Sequence, residues 1–172
     1  VFVATGDKEI FDEVTNNGGK SILTEKQHLT GTDRIFEAYQ KLKTNNIDYI
    51  INLQGDEPMI DIKDIVNLNI QAIKKKSKIA TLACDIKDNK IFNKSNVVKV
   101  VTDNKISKKI TSRANNFSRK ISFKNSLNIY HHIGIYIYNI KILEKFVNLN
   151  QSKKELEQKL EQFRALENNI EI

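Results

Sequence analysis

The alternation of short β-branched runs with longer amphipathic stretches is the feature that most constrains how this chain folds. The spacing predicts helices over residues 8–15, 32–44, 62–76, 140–147 and 152–168. The runs between them predict strands over 1–5, 21–24, 49–54, 79–86, 97–102 and 131–138. Such alternation is typical of α/β domains, in which helices cover both faces of a mostly parallel sheet.

Four segments refine this prediction. Tyr49–Leu53 is apolar at consecutive positions apart from Asn52, as expected of a strand that is buried on both faces. The stretch 97–103, the pair Asn104 and Lys105, and the stretch 106–110 predict a hairpin, so we expect a mixed sheet. Residues 88–95 and 115–128 lack a period of 2 or 3.6 and are predicted to be loops.

Charge and hydropathy exclude several classes of protein. The 172 residues include 28 Lys and Arg against 21 Asp and Glu, a formal charge of +7, but only four of the basic residues are Arg. Because Lys reads phosphates and base edges less well than Arg, we expect no nucleic-acid partner, and a basic nucleic-acid-binding module remains the alternative. No apolar run approaches the roughly 18–20 residues of a membrane span, so we expect a cytoplasmic protein without membrane contact.

The first residue is already part of a predicted strand. Val1 opens an apolar β-branched run, where a natural start is expected to have residues ahead of it. We therefore expect residues 1–172 to form a single domain that is truncated at both ends.

The strongest chemical motif is the segment from Asn52 to Pro58, Asn-Leu-Gln-Gly-Asp-Glu-Pro. Gly55 allows a sharp turn where the buried strand ends, and Asp56 then lies beyond the carboxyl end of the strand, where open α/β sheets bind ligands. A carboxylate there, together with substrate phosphate oxygens, is a usual Mg²⁺ site. The alternative is that Asp56 caps the following helix.

The second motif, His-Leu-Thr-Gly-Thr-Asp-Arg, begins at His28. Gly31 permits close backbone approach, Thr30 and Thr32 offer hydroxyls, and the positive end of the following helix faces the loop. A nucleotide base or phosphate fits such a loop. Equally, Thr32 can be an ordinary N-cap, with Asp33 as the acid of the first helical turn.

Taken in order, these blocks resemble the 3-deoxy-manno-octulosonate (Kdo) cytidylyltransferases, also called CMP-Kdo synthetases. Further matching blocks are VATGD, IATLACDI, NVVKVVTD, ITSRA, HHIGIYIY and LEQFRALEN. The resemblance implies a three-layer, Rossmann-like nucleotide-diphospho-sugar transferase fold. It also implies a transferase of lipopolysaccharide biosynthesis, in which the anomeric hydroxyl of Kdo attacks the α-phosphate of CTP to give CMP-Kdo and pyrophosphate. A cytidylyltransferase for another acid sugar, such as sialic acid, is the nearest alternative.

The resemblance also implies roles for individual residues. Asp56 resembles the catalytic ligand of Mg²⁺, the expected cofactor. The remaining positions are expected to bind CTP and Kdo, namely Thr30, Gly31 and Thr32 at the nucleotide, and Gln54, Arg113, His132, Tyr136, Glu161 and Gln162 at the acid sugar. Two alternatives stay open: His132 can be merely hydrogen bonded within the sheet, and Glu161 and Gln162 can face solvent.

Some parts of the family pattern have no counterpart in these residues. Asn115-Asn116-Phe117 follows the SRA block, where the family usually has an Ile-Pro pair, and Lys153-Lys154 stands where a Pro-Leu pair is common. The basic triphosphate loop and the segment that supplies a second metal ligand are missing as well. We therefore expect the isolated 172 residues to be inactive, and, as the family implies, the protein to form a homodimer.

Overall fold

In the computed structural model, residues 1–44, 46–92, 94–120 and 128–172 are described. The seven strands are β1 (Val3–Thr5), β2 (Ser21–Leu23), β3 (Tyr49–Leu53), β4 (Ile79–Cys84), β5 (Lys99–Thr102), β6 (Ala114–Ser118) and β7 (Ile129–Asn139). The helices are α1 (Lys8–Asn16), α2 (Gly31–Leu42), α3 (Ile62–Lys75), α4 (Asn89–Phe92), α5 (Ile140–Val147), α6 (Lys153–Gln158) and α7 (Gln162–Glu167).

The long strand β7 organises the main sheet. It pairs with β3 along one edge and with β4 along the other, and its first residues pair with β5, which in turn pairs with β6. Residues at even positions of β7 face one side of the sheet and those at odd positions face the other. Ile135 and Ile137 accordingly pack beneath α3, whereas Tyr136 and Tyr138 pack on the opposite face, where α5 lies. The predicted layers of helices on both faces are present.

Strand direction differs from the prediction of a mostly parallel sheet. Among the described strands, only β1 and β2 pair in parallel, and every pairing in the five-stranded sheet is antiparallel. Because β3 and β4 both run opposite to β7, they run in the same direction and their carboxyl ends share one edge. The apolar runs identify the strands, but they carry no information on direction, since strands buried on both faces look alike in either orientation.

The predicted hairpin and the predicted loop after it are also wrong in part. The strand that follows β5 and pairs with it is β6, at residues 114–118. The stretch 106–110 contributes only an isolated bridge between Ser107 and Ile110. Phe117 explains the pairing, because its ring lies in the core with Val100 and Tyr130. Residues 121–127 of the predicted loop lie outside the described residues, as does Asn93 in the loop predicted over 88–95, where α4 occurs.

The helix predicted over 152–168 is divided into α6 and α7. Lys159 adopts a left-handed conformation (φ 53°), which ends α6. Leu160 and Phe163 then enter the core around Val100. Burial of these two apolar side chains, which a helical pattern alone does not locate, is the physical reason for the break. As a result, Glu161, the N-cap of α7, and Gln162, its first residue, both face the sheet.

Candidate active site

The turn after β3 carries the predicted metal ligand. Gly55 and Asp56 form a turn directly after Gln54, and both are exposed. The backbone N–H of Glu57 closes the turn by donating to Gln54 O at 3.3 Å. The helix-cap alternative for Asp56 is wrong, because Asp61 caps α3 and accepts from the N–H of Lys63 at 2.9 Å. Asp56 thus presents its carboxylate at the edge where β3 and β4 end.

Gln54 lies between the start of α2 and β7. A Cβ added at Gly134 would be 3.4 Å from its Oε1, and one added at Gly31 would be 3.9 Å from its Nε2. Both distances are those of ordinary van der Waals contacts, so the amide of Gln54 lies close to both glycines. The two sequence motifs, which are more than twenty residues apart, meet at this side chain.

Helix α2 begins one residue earlier than predicted. Thr30, rather than Thr32, is its N-cap, and the Thr30 hydroxyl accepts from the N–H of Asp33 at 3.3 Å. The same hydroxyl lies 3.1 Å from Glu161 Oε1, which ties the start of α2 to the start of α7. Thr32 is fully buried, and its Oγ1 is 3.2 Å from the hydroxyl of Tyr138. Thr32 is therefore a buried residue in contact with Tyr138 and is not the N-cap of the helix.

Glu161 and Gln162 face the sheet rather than solvent. Gln162 is only 8% exposed, and its Nε2 donates to the hydroxyl of Tyr136. Burial raises the pKa of the Glu161 carboxyl, while hydrogen bonds from Thr32 and Thr30 oppose that shift. The carboxylate and the amide therefore lie together with Tyr136 in a polar cluster of low solvent content, where electrostatic interactions are strong.

His132 lies at the other end of this face of β7. Its Nε2 is 2.9 Å from Thr81 Oγ1, and its ring centroid is 5.5 Å from that of Tyr136 and 5.2 Å from that of Phe117. Burial, together with the nearby His131, lowers its pKa to about 3. The imidazole is therefore neutral near pH 7, and it is hydrogen bonded within the sheet, as the structural alternative predicts.

We use the term polar cluster for the residues that this face brings together, namely Thr30, Gly31, Thr32, Asn52, Gln54, His132, Tyr136, Tyr138, Glu161 and Gln162. In the described part of the chain, no three His, Cys, Asp or Glu side chains gather to hold a metal by themselves. A cation at Asp56 would therefore need oxygen ligands from substrate or water, which is how Mg²⁺ is commonly bound.

Comparison with known proteins places this geometry in a family. The family model described as Cytidylyltransferase matches residues 1–172. A 3-deoxy-manno-octulosonate cytidylyltransferase of Thermodesulfovibrio yellowstonii is 42% identical over the whole chain and 71% of its own length. This chain belongs to the 3-deoxy-manno-octulosonate cytidylyltransferase family. The resemblance found in the sequence blocks is confirmed.

Two further proteins are similar to this chain over its whole length. An 8-amino-3,8-dideoxy-manno-octulosonate cytidylyltransferase of Shewanella pealeana is 40% identical over the whole chain and 70% of its own length. The solved structure of CMP:2-keto-3-deoxy-manno-octonic acid synthetase, complexed with CTP, matches the whole chain and 69% of its own, with 34% identity and a TM-score of 0.86. The predicted α/β transferase fold is thereby confirmed.

Arg113, which the family resemblance assigns to the acid sugar, lies apart from the polar cluster. Its guanidinium is 3.6 Å from Glu171 Oε1, and both side chains are more than half exposed. It lines a cleft of about 410 Å³ between α3, β4 and the chain end at Ile172. None of the polar-cluster residues lines that cleft. The structure therefore does not bring Arg113 to the other predicted sugar-binding residues.

The sequence analysis missed Arg164, a buried residue that contacts the helices around this cytidylyltransferase site. Its side chain is 2% exposed, its Nε donates to Glu155 Oε2 at 2.9 Å, and its guanidinium carbon lies 4.8 Å from the centroid of Phe146. Nη1 is 3.9 Å from Asp33 Oδ1 on α2. Arg164 thus links α2, α5 and α6 to α7. Arg is favoured over Lys in buried ion pairs, and with only four Arg in the chain its place in the LEQFRALEN block was the available signal.

Among the described residues, none of the helices combines the length and the apolar character needed to cross a bilayer.

Proposed function

We propose that this chain is the catalytic part of an enzyme that transfers CMP from CTP to the anomeric hydroxyl of Kdo, giving CMP-Kdo and pyrophosphate. The observation that carries the proposal is the match to a CTP-complexed synthetase over the whole chain. The relative from Thermodesulfovibrio yellowstonii, named for transfer to 3-deoxy-manno-octulosonate, supports the choice of sugar.

The nucleotide is proposed to bind at the start of α2. The helix has 12 residues, and its N-terminal N–H groups and positive dipole end favour the negative charge of a triphosphate. Gly31 is exposed and leaves the backbone open to close approach. Thr30 is already held by Asp33 and Glu161, so the loop is ordered before CTP arrives. Such preorganisation reduces the entropy that binding loses.

The acid sugar is proposed to bind over the even-numbered face of β7. Gln54, Tyr136 and Gln162 offer amide and hydroxyl groups there, next to the turn that carries Asp56. The sugar's anomeric oxygen then attacks the α-phosphorus of CTP. The bond from that phosphorus to the bridging oxygen breaks, pyrophosphate leaves, and the hydroxyl proton is released to solvent. Reactions of this kind depend mainly on alignment and on neutralising charge.

Mg²⁺ is the cofactor we propose, with Asp56 as its protein ligand. An exposed carboxylate beside a nucleotide loop suits a hard cation that keeps water and phosphate oxygens as its other ligands. When bound, the ion supplies positive charge to the phosphates. Lipopolysaccharide biosynthesis, a cytoplasmic location and a homodimer remain predictions that follow from the family resemblance.

The test is pyrophosphate release by the protein expressed from its full reading frame, with CTP and each of three sugars: Kdo, 8-amino-3,8-dideoxy-manno-octulosonate and sialic acid. We expect turnover with Kdo. Turnover only with the 8-amino sugar would support the Shewanella pealeana relative as the better guide to substrate, and turnover only with sialic acid would contradict the choice of sugar. Salt-sensitive retention of oligonucleotides on filters, without turnover, would instead favour the nucleic-acid-binding alternative.

A further inference from the structure

Two polar atoms in the polar cluster are buried without a hydrogen-bond partner. They are Asn52 Nδ2 and Gln162 Oε1, and they are the only such side-chain atoms found within the described ranges. Asn52 is 4% exposed and Gln162 is 8% exposed. Buried polar groups are nearly always hydrogen bonded, so an unpaired donor and an unpaired acceptor at one site are available to a bound molecule that can both accept and donate.

Both side chains flank Tyr136 on the same face of the sheet. Asn52 is directly opposite Tyr136 in the pairing of β3 with β7, and directly opposite residues project to the same face. Gln162 donates its Nε2 to the hydroxyl of the same tyrosine, which leaves its carbonyl oxygen available. A Cβ at Gly31 would lie 4.0 Å from Asn52 Nδ2, so the amide also faces the start of α2.

The chemistry of the two atoms selects the kind of ligand group. Asn52 Nδ2 can only donate and Gln162 Oε1 can only accept, whereas a hydroxyl can accept from the first and donate to the second. A phosphate or carboxylate oxygen only accepts and would leave Gln162 Oε1 unpaired. Such an anionic oxygen would also be repelled by the carboxylate of Glu161, which lies close enough to Tyr136 to raise the pKa of its hydroxyl.

From this arrangement we infer that Asn52 is a sugar-binding residue: its side-chain N–H, together with Gln162 Oε1, binds a hydroxyl of the acid sugar and contributes to the choice of sugar. The inference rests on the proposed function and adds a residue to its substrate site. A site built to hydrogen-bond a substrate hydroxyl discriminates strongly against analogues that lack it, because its own buried groups then remain unpaired.

The decisive variant is Asn52→Leu, which removes the amide and keeps similar volume. Replacing an unsatisfied buried polar group by an apolar one should leave the unfolding midpoint unchanged or raise it. The KM for Kdo should rise on the order of tenfold, as expected for one lost hydrogen bond, while the KM for CTP stays within about twofold. Asn52→Ala, which removes the donor without introducing a carboxyl group, provides a second variant and should show the same split between the two KM values.

The matched control is Asn116→Leu on β6, where the side-chain Oδ1 accepts from the N–H of Phe117 at 2.9 Å. This variant should lower the unfolding midpoint and leave the KM for Kdo unchanged. Binding of Kdo in the presence of CTP, measured by calorimetry, gives a readout that is independent of turnover.

The failures can be distinguished. If the unaltered protein turns over Kdo but the Asn52 variants keep its KM, or if Asn52→Leu lowers the unfolding midpoint and raises both KM values together, the inference on Asn52 is contradicted alone. If the unaltered protein neither binds nor turns over any of the acid sugars, the proposed function fails and the inference fails with it.

Discussion

The two sides of the candidate site are held in different ways. On one side, Thr30 donates to Glu161 and Gln162 donates to Tyr136, and these hydrogen bonds connect α2, β7 and α7. On the other side, Asp56 lies exposed on a turn. The first side is ordered by protein contacts before substrate arrives, whereas the second depends on what binds to it. Substitutions that break the hydrogen bonds of the buried side should therefore reduce stability, whereas substitutions at the exposed turn should reduce activity alone.

The largest expected effect belongs to the exposed turn. Asp56→Ala should lower kcat on the order of 10³-fold, because the proposed cation loses its protein ligand. The unfolding midpoint should not change measurably, since surface substitutions away from packed features have little effect on stability. Steady-state kinetics and thermal denaturation of the same preparations provide the measurement. Glu144→Ala, at an exposed carboxylate on α5, is the control and should leave both quantities unchanged.

Arg164 should show the opposite behaviour on the buried side. Arg164→Met leaves Glu155 as a buried carboxylate without its bidentate partner, and we expect a loss of about 3–5 kcal/mol in the free energy of unfolding. Urea denaturation measures it. A loss below about 1 kcal/mol would show that the ion pair does not hold α6 and α7 together, and would weaken the contrast between the two sides.

His132 should make stability depend on pH. Its pKa is about 3 in the folded protein against an ordinary value of 6.5, so between these values the unfolded chain binds a proton that the folded chain does not. Stability should therefore be fully present above pH 6.5 and fall on acidification, with His132 contributing about 1.4 kcal/mol per pH unit. Comparison with His132→Gln isolates this contribution, because the variant should lose that part of the slope.

Equal slopes for His132→Gln and the unaltered protein between pH 6.5 and 5 would contradict the burial of a neutral imidazole.

Arg113 should have only a small effect on stability. Its ion pair with Glu171 is more than half exposed on both sides, so Arg113→Ala should change the free energy of unfolding by less than about 0.5 kcal/mol. Urea denaturation beside Arg164→Met makes the comparison between the exposed and the buried arginine direct. A loss above about 2 kcal/mol would place Arg113 among the structural residues.

Much of the fold could be predicted because its elements have a local cause. The mainly apolar run Tyr49–Leu53 predicted β3, and Asp61 and Gly31 lie at helix starts that the sequence approximately located. The two motifs that predicted a common ligand site do converge, through Gln54 and Gly31. In each case a turn, a helix cap or a buried strand requires particular residue types, so the sequence alone indicates the local structure.

The missed features have causes that are distant in the sequence. Strand β6 contains Asn115 and Asn116, which are poor strand formers, and pairing with β5 and burial of Phe117 override that preference. The break at Lys159 follows from the burial of Leu160 among residues of β5, β6 and β7, which are distant in the sequence. Neither cause is visible in a local window of sequence.

The most direct test of the account is a crystal structure of the protein, expressed from its full reading frame, with Mg²⁺, CTP and Kdo. The account predicts a cation with an oxygen of Asp56 at about 2.1 Å and with phosphate oxygens among its other ligands. It also predicts the sugar against Tyr136 and Gln162, with a hydroxyl at Asn52. A cation bound by other residues while Asp56 faces solvent, or a sugar bound away from β7, would contradict it.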